Sequence, residues 1–373
     1  MTIILHVGAA KCGSSSLQAQ LSSCPLLSAD DGSAHYEYVC VTRKGNLLRR
    51  DEMQQHAQLT PYEAQASAGA EWPWATDKTA LKRLSSRLQD VLAEGRTPIA
   101  SQESWLGQAE IFEANETLPR LGLRAKVVVF VRPQIPWLNS AWWQWGAWSP
   151  LNFRDWVECS KHISRWTSLT DAWRSVPGVD SVEIHLVGDV VSTFFRSIGI
   201  ATQSAPRRNS SLDQNLLRYL RGRPDLRSMH ASNVDFVLEQ RLAAGPKGTP
   251  WVLEADQISD LIEYYRTDNK ELSSLVSSEA RQEMEQDPMW WDPAAYAGRE
   301  AISADAIDPS VEVLQDISGR AIDAVIGLDK RVRVLEAAQR NLTLALEAEK
   351  RKPMGPRLRK AISVNGVRRL VGV

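Results

Sequence analysis

TIILHVGAAKCGSSSLQAQLSS, residues 2–23, decides the fold. Its first six residues are apolar and rich in β-branched side chains, as a strand buried on both faces of a parallel sheet requires. Its last seven read as helix. Between them GAAKCGSSS, residues 8–16, turns at Gly8 and Gly13 and enters the helix through three serines. The first N–H groups of a helix have no carbonyl partner, and the helix dipole adds partial positive charge there, so this loop is an anion site. Lys11 adds a full positive charge. The hydroxyls of Ser14, Ser15 and Ser16 add short-range donors.

The glycine spacing matches the nucleotide-triphosphatase loop G-x-x-x-x-G-K-[ST], but Ser14 stands where that loop has lysine. The lysine lies inside the loop, at position 11. Further on, Arg132 ends the strand VVVFV, where an ATPase would carry a magnesium-holding aspartate. The loop can therefore hold phosphate, and both departures count against an ordinary ATPase.

Outward from this stretch the chain alternates strand and helix. TPIAS (97–101), AKVVVFVR (125–132) and VEIHLVG (182–188) read as strands. AKVVVFVR is the most continuous apolar run and takes a central place. Helices are expected near 77–94, closed by Gly95 as a C-cap, after Pro133 and Pro136, and over VVSTFFRSIG. Residues 30–80 otherwise read as polar and irregular. The expected fold is α/β, a P-loop-type parallel sheet flanked by helices, with a C-terminal helical extension. The ligand then sits at the carboxyl ends of the strands, where the loops 8–16, 102–105 and 132–140 gather.

Two motifs together carry a family resemblance. ILHVGAAKCGSSSLQ resembles the 5′-phosphosulfate loop of the sulfotransferases, whose form is strand, lysine-x-glycine-Ser/Thr-Ser/Thr, helix. VVVFVRPQIPWLNSAWWQW is similar to the strand-end arginine and helix serine with which bacterial members hold the nucleotide 3′-phosphate. The resemblance implies that Lys11, Cys12, Gly13, Ser14, Ser15 and Ser16 bind the 5′ side of 3′-phosphoadenosine 5′-phosphosulfate. It implies that Arg132 and Ser140 bind the 3′ side, chemistry suited to a guanidinium fork and a directional hydroxyl. Cys12 replaces the common threonine. RRNSSLDQNLLRYLR, from Arg207, resembles a further family segment, in which Asn209 would close over the nucleotide; helix N-capping by Ser210 or Ser211 is the slightly favoured reading of it. The resemblance covers about 210 residues through three short islands.

The implied activity is sulfuryl transfer to a hydroxyl or amine of an acceptor, with a glycan or glycolipid as the expected class. Such transfer needs in-line positioning, charge stabilisation and a general base. Lys11 is placed to neutralise the leaving phosphate oxygen. Glu103, in SQESW after the strand TPIAS, is the first candidate base; an N-terminal helix acid is the plainer reading of that residue. His6, on the first strand, is the second candidate, against a plainer reading as a satisfied core histidine. No metal is expected, because no ligand spacing appears. Two other function classes stay open: a P-loop small-molecule kinase, and a nonenzymatic scaffold with a vestigial nucleotide fold.

Composition bounds the rest. The chain has 373 residues, 43% apolar and 24% charged, with a net charge of -1, so no global field draws it to nucleic acid or membrane. No apolar run is long enough to span a bilayer and no secretory leader is evident, so a cytoplasmic setting is expected. The four cysteines follow no zinc or redox spacing. Eight of the 14 tryptophans fall between Trp137 and Trp173, as core packing or as an acceptor platform.

Leu314, Ala321, Leu328, Leu335 and Leu342 recur every seven residues, joined by Val325, Val332 and Leu346. This is either a coiled coil, with a homodimer through the helix, or an amphipathic helix packed on its own domain. The expected organisation is an α/β domain over 1–300, a helical extension over 301–352 and a basic tail over 353–373.

Overall fold

A computed structural model describes residues 2–42, 45–59, 78–201, 214–223, 225–227, 249–305 and 310–351, with 238 and 242. The chain divides into two compact units, Met1–Pro309 and Ser310–Val373.

The first unit is α/β. Among the described residues its sheet has seven strands: β1 (Thr2–Val7), β2 (Leu26–Ser28), β3 (His35–Val41), β4 (Leu47–Arg49), β5 (Thr97–Gln102), β6 (Arg124–Val131) and β7 (Val179–Leu186). The order is β2-β3-β5-β1-β6-β7, with β4 on β3. The pairs β3–β5, β5–β1, β1–β6 and β6–β7 are parallel, while β2 and β4 run antiparallel to β3. β1 thus lies between β5 and β6, which the chain reaches in succession by crossing over it. The crevice at the carboxyl end of β1 is where such a fold binds ligand.

Val127 to Val131 of β6 are all 0% exposed, which explains why that run carries no polar residue. Each such side chain contributes roughly 1.5–3 kcal/mol relative to an exposed one.

The described residues between 30 and 59 are more regular than their composition suggests. HYEYVCV forms β3, inside the sheet, and RDEMQQHAQL forms a helix, α2 (Arg50–Leu59). The fully buried Glu37 hides the strand from a hydropathy reading. Arg49 pairs both its carboxylate oxygens, at 2.7 and 2.8 Å, so the charge is buried with a bidentate partner.

The helices around the sheet are α1 (Ser14–Ser23), α3 (Lys78–Ala93), α4 (Ala109–Ala114), α5 (Thr117–Leu121), α6 (Gln134–Gln144), α7 (Phe153–Ser160), α8 (Trp166–Ser175), α9 (Val190–Ser197), α10 (Gln214–Arg221), α11 (Ala255–Leu275) and α12 (Ser278–Gln286). Gly95 ends α3 in the left-handed region (φ 73°), and the Arg96 N–H reaches back to the Val91 carbonyl at 3.2 Å, a helix stop that only glycine adopts cheaply.

The second unit is described through one helix, α13 (Val311–Arg351). Among the described residues no helix is long and apolar enough to cross a membrane.

Candidate functional site

The three strand-end loops expected to converge do so through hydrogen bonds. The Gly8 N–H donates to the Gln102 carbonyl at the end of β5 (3.0 Å). The Arg132 guanidinium, just past β6, donates to the Lys11 carbonyl (3.2 Å). The Trp137 indole N–H, in the first turn of α6, donates to the Ala10 carbonyl (2.7 Å).

The loop itself is tightly bent. Lys11 has φ 62° and Gly13 has φ 86°, both left-handed. A lysine there is uncommon and costs on the order of 1 kcal/mol or more, a strain found where a loop shape serves a site. Gly13 caps α1 with no side-chain hydrogen bond to the first turn. The opening N–H groups of the helix therefore face the loop without a side-chain cap. The Ser14 hydroxyl is buried and has no hydrogen-bond partner among the described residues. A buried hydroxyl without a partner is costly unless something binds it. A Cβ on Gly8 would stand 2.3 Å from that oxygen, so the glycine keeps the cradle clear. Ser15 and Ser16 are half-buried beside it, and Lys11 is exposed. These residues fit a phosphate or phosphosulfate group.

Cys12 is fully buried, and burial pushes its thiol up to about 12, against the pull of Arg132 and with a push from Glu103. It stays protonated, so only its backbone faces the loop chemistry.

Glu103 is half-buried at the start of a short 3-10 turn (Glu103–Gln108). Burial raises its carboxyl above the usual range. The Lys11 charge and a hydrogen bond from the Lys11 N–H hold that rise in check. It therefore lies directly against the loop.

His6 is elsewhere. It is fully buried between Phe130 and Phe194, with Nδ1 2.7 Å from the Ser101 hydroxyl, which also accepts from Gln18 (3.1 Å). Burial lowers its pKa to about 3, so the ring is neutral and shut off from any acceptor. The ring lies in the core as the plainer reading expects, but its Nε2 has no hydrogen-bond partner among the described residues.

Arg132 is half-buried, and burial lowers its pKa, opposed by Cys12 and Tyr296 and reinforced by Arg299. The Arg299 guanidinium lies over the rings of Trp251 (4.6 Å) and Tyr296 (5.5 Å). Nothing in the sequence marks Arg299 as part of this charge cluster; it comes from a distant turn. Ser140, on α6, donates its hydroxyl to the Pro136 carbonyl (2.9 Å), one turn back in its own helix. Asn209 lies outside the described residues.

The tryptophans have mixed roles. Trp137 and Trp166 meet edge to face at 5.5 Å, and the Trp166 indole donates to the Arg132 carbonyl (2.9 Å). Together they hold the Ala10 and Arg132 backbones, a positioning role that composition alone does not reveal. Trp142 and Trp148 carry Arg221 and Arg227 over their rings at 4.7 and 3.3 Å, so neither offers that face to an acceptor. Trp145 is half-buried with its ring 6.1 Å from that of Trp137.

No family model matches this sequence, and no curated protein matches it. Among solved structures, the chain is similar to the crystal structure of a sulfotransferase from Alicyclobacillus acidocaldarius. That match has 16% identity and a TM-score of 0.36, over 76% of this chain and 99% of the other.

Proposed function

We propose that this protein is a sulfotransferase that moves a sulfuryl group from 3′-phosphoadenosine 5′-phosphosulfate to a hydroxyl or amine of a carbohydrate acceptor. The observation that carries the reading is the cradle at the end of β1. It unites an uncapped helix start, the unpartnered Ser14 hydroxyl and two cations, Lys11 and Arg132, joined through one hydrogen bond.

In this reading the loop N–H groups and the hydroxyls of Ser14, Ser15 and Ser16 hold the 5′ side of the nucleotide. Arg132 holds the 3′-phosphate, aided by Arg299, and Ser140 joins them by turning its hydroxyl away from Pro136. The donor supplies an activated sulfur–oxygen bond. The Lys11 ammonium neutralises charge on the leaving phosphate oxygen. Glu103, its basicity raised by burial, accepts the acceptor proton. The partly exposed face of Trp145 offers an apolar surface for a sugar ring at the rim.

The test is unfolding of wild type and Lys11→Ala with 3′,5′-adenosine bisphosphate or magnesium-ATP. Wild type should gain about 2.7 kcal/mol at a hundredfold excess of the bisphosphate over its dissociation constant, and Lys11→Ala should lose that gain. Stabilisation by magnesium-ATP alone would replace this reading with a small-molecule kinase. No stabilisation by either would favour the scaffold.

A further inference from the structure

α13 carries a seven-residue repeat that the site chemistry does not use. Taking Leu328, Leu335 and Leu342 as position d puts Val325 and Val332 at position a, with Gln339 at the next a. The stripe is exposed: Val325 64%, Leu335 68% and Leu342 66%. Burying such a row against a partner is favourable, and Val at a with Leu at d suits two parallel strands.

The flanking charges choose the partner and its direction. Arg331 occupies position g, and Asp329 and Glu336 occupy position e. In a parallel, in-register pair, g of one helix faces the next e of the other. Arg331 then meets Glu336 of the second copy, twice by symmetry. In an antiparallel pair the e positions face one another and the acidic side chains collide. The parallel register also sets Gln339 against itself, a polar layer that fixes alignment at some cost in stability.

We propose that α13 pairs with the same helix of a second copy of this chain, as a parallel two-stranded coiled coil. It does not depend on the sulfotransferase reading. The full chain should sediment at twice the 41.7 kDa of one chain. Leu328→Lys with Leu335→Lys should return it to a single-chain mass with an unchanged circular dichroism signal from the α/β unit. Arg331→Glu and Glu336→Arg should each raise the dimer dissociation constant severalfold, and the double variant should restore it. In a background with the exposed Cys24 and Cys159 changed to serine, Val332→Cys should cross-link copy to copy under mild oxidation, since a parallel pair sets this residue opposite itself. A single-chain mass for wild type at tens of micromolar, or a dimer indifferent to the two lysines, would overturn the pairing. A dimer in which Val332→Cys stays uncross-linked and the double charge reversal fails to restore affinity would overturn the parallel register.

Discussion

Arg132 and Lys11 are 121 positions apart in the chain, yet the Arg132 guanidinium donates to the Lys11 carbonyl at 3.2 Å. The cation at the end of β6 thus holds the main chain of the loop whose own side chain is a cation. A guanidinium has five N–H donors, and the bond to Lys11 uses one, so the fork can serve the loop and a phosphate together.

Arg132→Lys keeps the charge and loses the fork. Affinity for 3′,5′-adenosine bisphosphate should fall about 10- to 100-fold, the value of a charge-assisted hydrogen bond or two. Affinity for adenosine 5′-monophosphate, which has no 3′-phosphate, should change much less. Calorimetric titration of both ligands checks this, because an Arg132 that only braces the loop would weaken the two alike.

Gly8 and Gly13 serve different ends, and alanine at each separates them. At Gly13 the new Cβ would meet the Val190 side chain at 2.7 Å, on a backbone with φ 86°. Gly13→Ala should cost about 1–3 kcal/mol of stability in urea unfolding. At Gly8 the added atom strikes the Ser14 hydroxyl at 2.3 Å. Gly8→Ala should chiefly lower nucleotide affinity, by displacing the buried Ser14 hydroxyl proposed to bind the phosphate.

Glu103→Gln should lower kcat about 10²–10⁴-fold and leave stabilisation by 3′,5′-adenosine bisphosphate in place. A base acts when deprotonated, so wild-type activity is present above the Glu103 pKa and lost below it. Because burial raises that pKa, the acid limb should lie above the ordinary carboxylate range. The pH–rate profile of the variant should lack that limb. An unchanged limb would assign the proton transfer elsewhere.

What the sequence discloses follows from how each feature is encoded. β1, its loop and β6 are legible because an unbroken apolar run and a glycine-serine turn are local signals. Arg132 is legible because it ends such a run. β3 is not, because Glu37 sits in its middle and its partner Arg49 lies 12 positions away, in another strand. The positioning role of Trp137 is equally hidden. Its indole N–H meets a carbonyl 127 positions earlier, and no spacing rule reaches that far. Arg299 escapes for the same reason, being joined to the site only by the fold. His6 shows the converse: its place beside the loop in sequence suggests chemistry, but β1 is buried on both faces and the ring lies in the core by Phe130 and Phe194.

That burial makes His6 a source of acid sensitivity. Its pKa is about 3 in the folded chain, against an ordinary 6.5. Below 6.5 the unfolded chain takes up a proton that the folded chain refuses, so stability falls as pH drops from 6.5 toward 3 and is independent of this group above 6.5. At pH 5 the loss is about 2 kcal/mol, at about 1.4 kcal/mol per pH unit. His6→Gln cannot titrate, so its stability should fall less than wild type between pH 7 and pH 5, whatever its absolute value. Urea unfolding midpoints at the two pH values measure the difference. Equal losses in both proteins would mean that the ring is reached by water and protonates in place.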